Sequence, residues 1–76
     1  HTLFYMSSDV QKKFARKLYL IRESRGLSQE ELAFMCGIDR TYIGRIERLE
    51  RNPSLVILQK IADGLGIPLI ELLTFD

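Results

Sequence analysis

Apolar residues recur at helical spacing in several separate stretches of this chain, and nowhere do they alternate residue by residue as in a half-buried strand. Val10, Phe14, Leu18 and Ile21 make one stripe, predicting a helix from residue 8 to residue 25, with Lys12, Lys13, Arg16 and Lys17 on its opposite side. Gly26 stops it. Ser28 followed by Glu31 is a capping box: the hydroxyl accepts from the third helical amide while the carboxylate accepts from the cap's own amide. A second helix is therefore predicted from Gln29 to about Cys36. Gly37 permits a left-handed turn, and Asp39 caps a third helix beginning near Arg40.

In that third helix Ile43 and Ile46 point one way, while Arg40, Thr41, Gly44, Arg45 and Arg48 occupy a broad arc facing the other. RNPS breaks the chain, and Ser54 caps a fourth helix carrying Leu55, Leu58, Ile61, Ala62 and Leu65. Gly66 ends it, and Pro68 suits the first position of a short fifth helix, LIELL. The fold class is all-α, a compact five-helix domain without repeats or low-complexity tracts.

A chain of 76 residues is one domain. Domains this small bury only about 60% of their extended surface, so a partner that completes the core is plausible. Apolar residues make up 46% and charged residues 28%, the balance of a folded globular protein. No apolar run approaches the roughly 18 residues of a membrane span, and a cytoplasmic location is expected. Cys36 is the single cysteine and His1 the single histidine, which leaves no internal disulfide and no zinc set. Cys36 is read as a small core residue. The opening HTLFY, ahead of Met6, reads as a tag or vector leader, so residues 1–5 are set apart from a domain of residues 6–76.

Net charge is only +1, but it is unevenly spread. Residues 1–27 hold six basic against two acidic residues, residues 28–39 three acidic and no basic, and residues 40–52 four basic against two acidic. A fold that unites the two basic blocks makes a positive face.

Two helices joined through Gly37 must approach closely at one point. Ala33 is small where they would meet, and Leu32, Cys36, Ile38, Ile43 and Ile46 fill the wedge between them. This is the spacing of a DNA-binding helix-turn-helix. With SQEELA, the Gly37 turn, IDRTYIGRIER, RNPS and IADGLGIP in that order, residues 9–74 resemble the lambda repressor and Cro family of five-helix domains, also called the XRE family. Within it, DRTYIGRIER followed by RNPS is similar to the small controller proteins of restriction-modification systems.

The resemblance implies that the third helix enters the major groove, with Arg40 donating in a fork to guanine O6 and N7, Thr41 meeting a thymine methyl or a phosphate, and Arg45 as the next candidate. Tyr42 lies on the boundary between faces, placed to pack or to reach bases near the dyad. Gln29 resembles the family's phosphate-clamping glutamine, and Arg48, Arg51 and Asn52 would grip the DNA backbone beyond the groove. Arg22 and Glu47 would pair across helices one and three as a structural salt bridge. Leu49 stands where family members commonly carry Gly; a left-handed backbone is costly for Leu, so the third helix is expected to run on there. Gly44 is either a tolerated weak helix former or a gap that lets the helix sit closer to DNA. Any one of these arginines alone reads as a solvated surface. Together, on the helix this motif presents, they favour DNA.

The fifth helix region holds Ile67, Leu69, Ile70, Leu72, Leu73 and Phe75, more apolar residues than a short helix hides. Leu69, Leu72 and Leu73 can close the core, leaving Ile67, Ile70 and Phe75 for a two-fold interface. Such a dimer would set two recognition helices about 34 Å apart, one turn of DNA. The expected function is that of a homodimeric transcription regulator, repressor or activator, on palindromic operators, controlling a restriction-modification operon. Its expected partners are operator DNA, a second copy and RNA polymerase, without membrane, cofactor, metal or small-molecule ligand. The rival readings are a phage or plasmid repressor and an antitoxin-type protein-interaction module. An enzyme is disfavoured by the lack of a Ser/His/Asp set, metal ligands or a Gly-rich phosphate loop.

Overall fold

A computed structural model describes residues 9–75. The leader assigned to residues 1–5 lies outside the described residues. Five helices follow in order: α1 (Asp9–Ser24), α2 (Gln29–Cys36), α3 (Tyr42–Glu47), α4 (Leu55–Leu65) and α5 (Leu69–Leu72). There is no strand among the described residues. Each helix sends at least one fully buried side chain to a common centre: Leu18, Leu32, Ile43, Ile46, Ile61 and Leu72. No helix among the described residues is long and apolar enough to cross a membrane.

Both caps read from serine are formed. Ser28 Oγ accepts from Glu31 N–H at 3.0 Å while Glu31 Oε1 accepts from Ser28 N–H at 2.8 Å, and Ser54 Oγ accepts from Ile57 N–H at 3.2 Å. Gly37 turns left-handed at φ 68°, and Ile38 N–H returns to Ala33 O at 3.1 Å.

Helix α3 begins at Tyr42, two residues later than its predicted start. The cause is Asp39, whose carboxylate accepts from Thr41 N–H at 3.0 Å and from the Thr41 hydroxyl. Its carbonyl accepts from Tyr42 N–H at 3.0 Å, so Arg40 and Thr41 form a turn ahead of the helix. Nor does α3 run on past Leu49. Leu49 adopts φ 64° and ends the helix as a glycine would.

Other departures are of burial. Val10 and Leu55 belong to the predicted stripes but are exposed, each in the first turn of its helix. Pro68 stands before α5 as its cap and not as its first residue. Around α5, Leu72 is fully buried while Leu69, Ile67 and Phe75 pack partly against the core. Leu73, expected to close the core, is 37% exposed and Ile70 is 76% exposed. Arg25 Nη1 donates to Leu65 O at 2.6 Å, tying the end of α1 to the last turn of α4.

Helices α2 and α4 approach closely at Gly64. A Cβ there would lie 2.6 Å from Cys36 Sγ and 3.1 Å from Met35 O. Cys36 is buried, and burial pushes its thiol pKa up, which suits an inert core residue.

Candidate nucleic-acid interface

The candidate surface is built on a buried polar anchor. Arg22 reaches from α1 with Nε 2.8 Å from Glu47 Oε2 and Nη2 3.0 Å from Glu47 Oε1, a two-pronged pair. The two side chains are 9% and 8% exposed. Arg22 Nη1 also donates to Leu27 O at 2.7 Å, and the guanidinium lies 5.4 Å from the centre of the Tyr19 ring. Gln29 completes the set, its Nε2 donating to Glu47 Oε1 at 2.9 Å. Glu47 thus fixes the end of α3 to α1 and to the first residue of α2 in one step. The Arg22 pKa is held above its ordinary value, first by the Glu47 hydrogen bond.

Gly44 belongs to this anchor. It is buried, and a Cβ there would lie 2.8 Å from Gln29 Oε1 and 2.8 Å from Arg48 Nη1. The space opened by Gly44 is therefore filled by the chain's own Gln29 and Arg48. Its lack of a side chain brings those two polar ends together over α3.

Around the anchor lie the remaining candidates. Arg40 is exposed with Nη1 3.3 Å from Glu30 Oε2 of α2, and Thr41 is exposed with its hydroxyl on Asp39. Tyr42 is half-buried and packs partly against the core; Arg45, one turn into α3, is half-buried as well. Arg48 holds Glu50 through Nε at 2.9 Å and Nη2 at 3.3 Å. Arg51 and Asn52 are exposed in the loop after α3, on the rim of an apolar groove that includes Val10, Phe14, Pro53 and Leu73. The Asp39 pKa is lowered mainly by its hydrogen bonds from Thr41, then by the charges of Arg45 and Arg40; that of Glu50 is lowered mainly by its hydrogen bond from Arg48. No group of three metal-ligating side chains occurs among the described residues.

The sequence named Lys12 and Arg16 only as part of a basic block and did not assign them, or Tyr19, to this surface. Lys12, Arg16 and Tyr19 of α1 line a shallow groove with Gln29, Glu47, Arg48 and Leu49. The signal was present, since these three recur at four and three residues and so share a helix face. It could not be used until α1 had been placed beside α3.

Residues 18–72 match the helix-turn-helix family HTH_3. The chain belongs to this family. It is 48% identical over 66 residues to control protein C.MunI of Mycoplasma sp, covering 86% of this chain and 89% of that protein. It is 42% identical over 65 residues to a hypothetical transcription factor of Neisseria meningitidis, covering 86% of this chain but only 61% of that longer protein. Among solved structures, the restriction-modification controller protein C.Esp1396I, captured as a tetramer with its natural 35 base-pair operator, is similar with a TM-score of 0.77. That match is 34% identical and covers 88% of this chain and 97% of that one. The all-α, five-helix arrangement is thus that of a helix-turn-helix domain.

Proposed function

We propose that this chain is a homodimeric transcription regulator that binds a short two-fold symmetric operator, and that it controls a restriction-modification operon. The observation that carries the reading is that exposed Arg40, Thr41 and Arg48 flank α3 and half-buried Arg45 lies on it, with the end of that helix held by the Arg22–Glu47–Gln29 anchor. Rigid presentation matters because a fork to guanine discriminates only when the guanidinium arrives in plane with the base edge. The family match and the 48% identity to a control protein support the assignment.

In this reading Arg40, Thr41 and Arg45, with Tyr42 at the edge, meet base edges, while Gln29, Arg48, Arg51 and Asn52 meet phosphates. The Gln29 amide, already orienting Glu47, keeps its oxygen on the Arg48 side and would clamp a phosphate from the start of α2. The dimer forms through α5 with Ile70 at its centre and Ile67 and Phe75 beside it, since Ile70 is the side chain of the three left most open.

The test is selection from a random duplex pool at moderate salt, with the protein's mass in solution recorded alongside. Enrichment of an inverted repeat by a dimer supports the reading. With that operator in hand, Arg40→Ala costs about 1–3 kcal/mol and relaxes preference at one base position. No enrichment, or an unchanged cognate-to-scrambled ratio for Arg40→Ala, overturns the reading or its leading contact respectively.

A further inference from the structure

We propose that the basic ridge of α1, centred on Lys12 and Arg16, is a second contact for the DNA backbone, continuous with the α3 surface. The inference rests on the operator-binding reading and extends it to a helix outside the helix-turn-helix.

Lys12, Lys13, Arg16 and Lys17 fall within two turns, so about 8 Å of helix carries four cations. The acidic residues of α1 stand at its ends, Asp9 in the first turn and Glu23 beside Arg22 near the last. No described residue gives any of the four an ion pair. Two of the cations next to DNA in the proposed reading are differently held: Arg40 is paired with Glu30, and Arg48 with Glu50. The ridge therefore presents charge that no carboxylate of the described structure offsets.

Its position decides the partner. Lys12 and Arg16 line the groove that also contains Gln29 and Arg48, and they equally line a second groove with Lys13, Lys17, Leu20, Thr74 and Phe75. A phosphate strand held at Gln29 and Arg48 thus passes directly onto Arg16 and Lys12. Leu49, at φ 64° just after α3, forms part of the wall of the first groove. Long exposed lysine and arginine side chains on a helix outside the groove-entering motif suit sequence-independent backbone contact. The ridge would therefore lengthen the footprint and add affinity without adding selectivity.

The experiment measures affinity of the full chain across a salt series, for the selected operator and for a scrambled duplex. It compares wild type, Lys12→Gln/Arg16→Gln, and Lys60→Gln on α4, a residue that lines neither groove. The expected result is that the double variant, which removes two contacts per protomer and four per dimer, lowers the magnitude of the log K against log salt slope by about 3.6, at roughly 0.9 per phosphate, on both duplexes alike. Its cognate-to-scrambled ratio and melting temperature stay at the wild-type values, and Lys60→Gln changes nothing. An unchanged slope in a folded variant overturns the proposal and leaves an acidic protein partner as the ridge's ligand. Loss on the operator alone overturns it too, because the ridge would then be reading sequence. A wild-type chain that bound both duplexes equally would instead sink the operator reading itself.

Discussion

The two helices of the α2–α3 unit end in the same way with different residues. At Gly37, φ 68°, the amide donates to Phe34 O at 3.2 Å and the next amide, of Ile38, to Ala33 O at 3.1 Å. At Leu49, φ 64°, the amide donates to Ile46 O at 3.0 Å and the next, of Glu50, to Arg45 O at 2.8 Å. The hydrogen bonds match, but an L-residue with a side chain in this region carries a cost of about 1–2 kcal/mol. Gly37 follows the local preference of the backbone. Leu49 goes against it, held there by the Glu47 anchor two residues earlier and by its own half-buried side chain in the groove with Ala15 and Tyr19. One turn is therefore determined by the chain nearby, the other by the rest of the molecule.

The strongest way to break that contrast is Glu47→Ala, which removes the two-pronged partner of buried Arg22 and leaves it only the longer contact to Glu23 at 3.4 Å. A loss of about 3–5 kcal/mol is expected in urea unfolding. A loss under about 1 kcal/mol would mean that the C-terminal turn needs no distant anchor. Next comes Gly37→Ala. Nothing lies within 4 Å of the added Cβ, so the expected cost of about 1–2 kcal/mol is one of backbone conformation alone. Equal stability to wild type would show that the turn can relax out of the left-handed region.

A smaller effect is expected for Leu49→Gly. Relief of strain is offset by the lost apolar burial and by the greater freedom of glycine in the unfolded chain, leaving a net change within about 1 kcal/mol. A gain well beyond that would show that the leucine side chain contributes nothing to the groove. The smallest effect is that of acid. Asp39 beside the first turn and Glu50 beside the second both have folded-state pKa values below the ordinary ones, through Thr41 and Arg48 respectively. Their contributions are complete above the ordinary carboxylate pKa, near 4, and fade as pH falls through the lower folded values. Melting curves from pH 6 to pH 3 should show this limb, shallower in Asp39→Asn. An Asp39→Asn curve identical to wild type would remove Asp39 from the account.

The same contrast explains what could be read from the sequence. Caps and glycine turns rest on residues within five positions of one another, and Ser28, Glu31, Gly37, Ser54 and Gly66 marked them well. The exact start of α3 was hidden because Asp39 engages Thr41, and its end because no local rule favours Leu49 at a left-handed position. Gly44 and Gly64 carry no signal of their close neighbours, which come from other helices. In the candidate site, the facing of Arg40, Arg45 and Arg48 away from Ile43 and Ile46 follows from spacing. The meeting of Gln29 and Arg48 over Gly44, the hold of Glu30 on Arg40, and the nearness of Lys12 and Arg16 depend on how helices cross, which periodicity does not encode.

The seam at Gly64 leaves no room for one more carbon atom beside the Cys36 sulfur. A thiol reagent must wait until α2 and α4 part, and the chain has no other cysteine to consume it. The rate at which the intact protein is alkylated is therefore a clock for the opening of its own core, one that operator binding should slow.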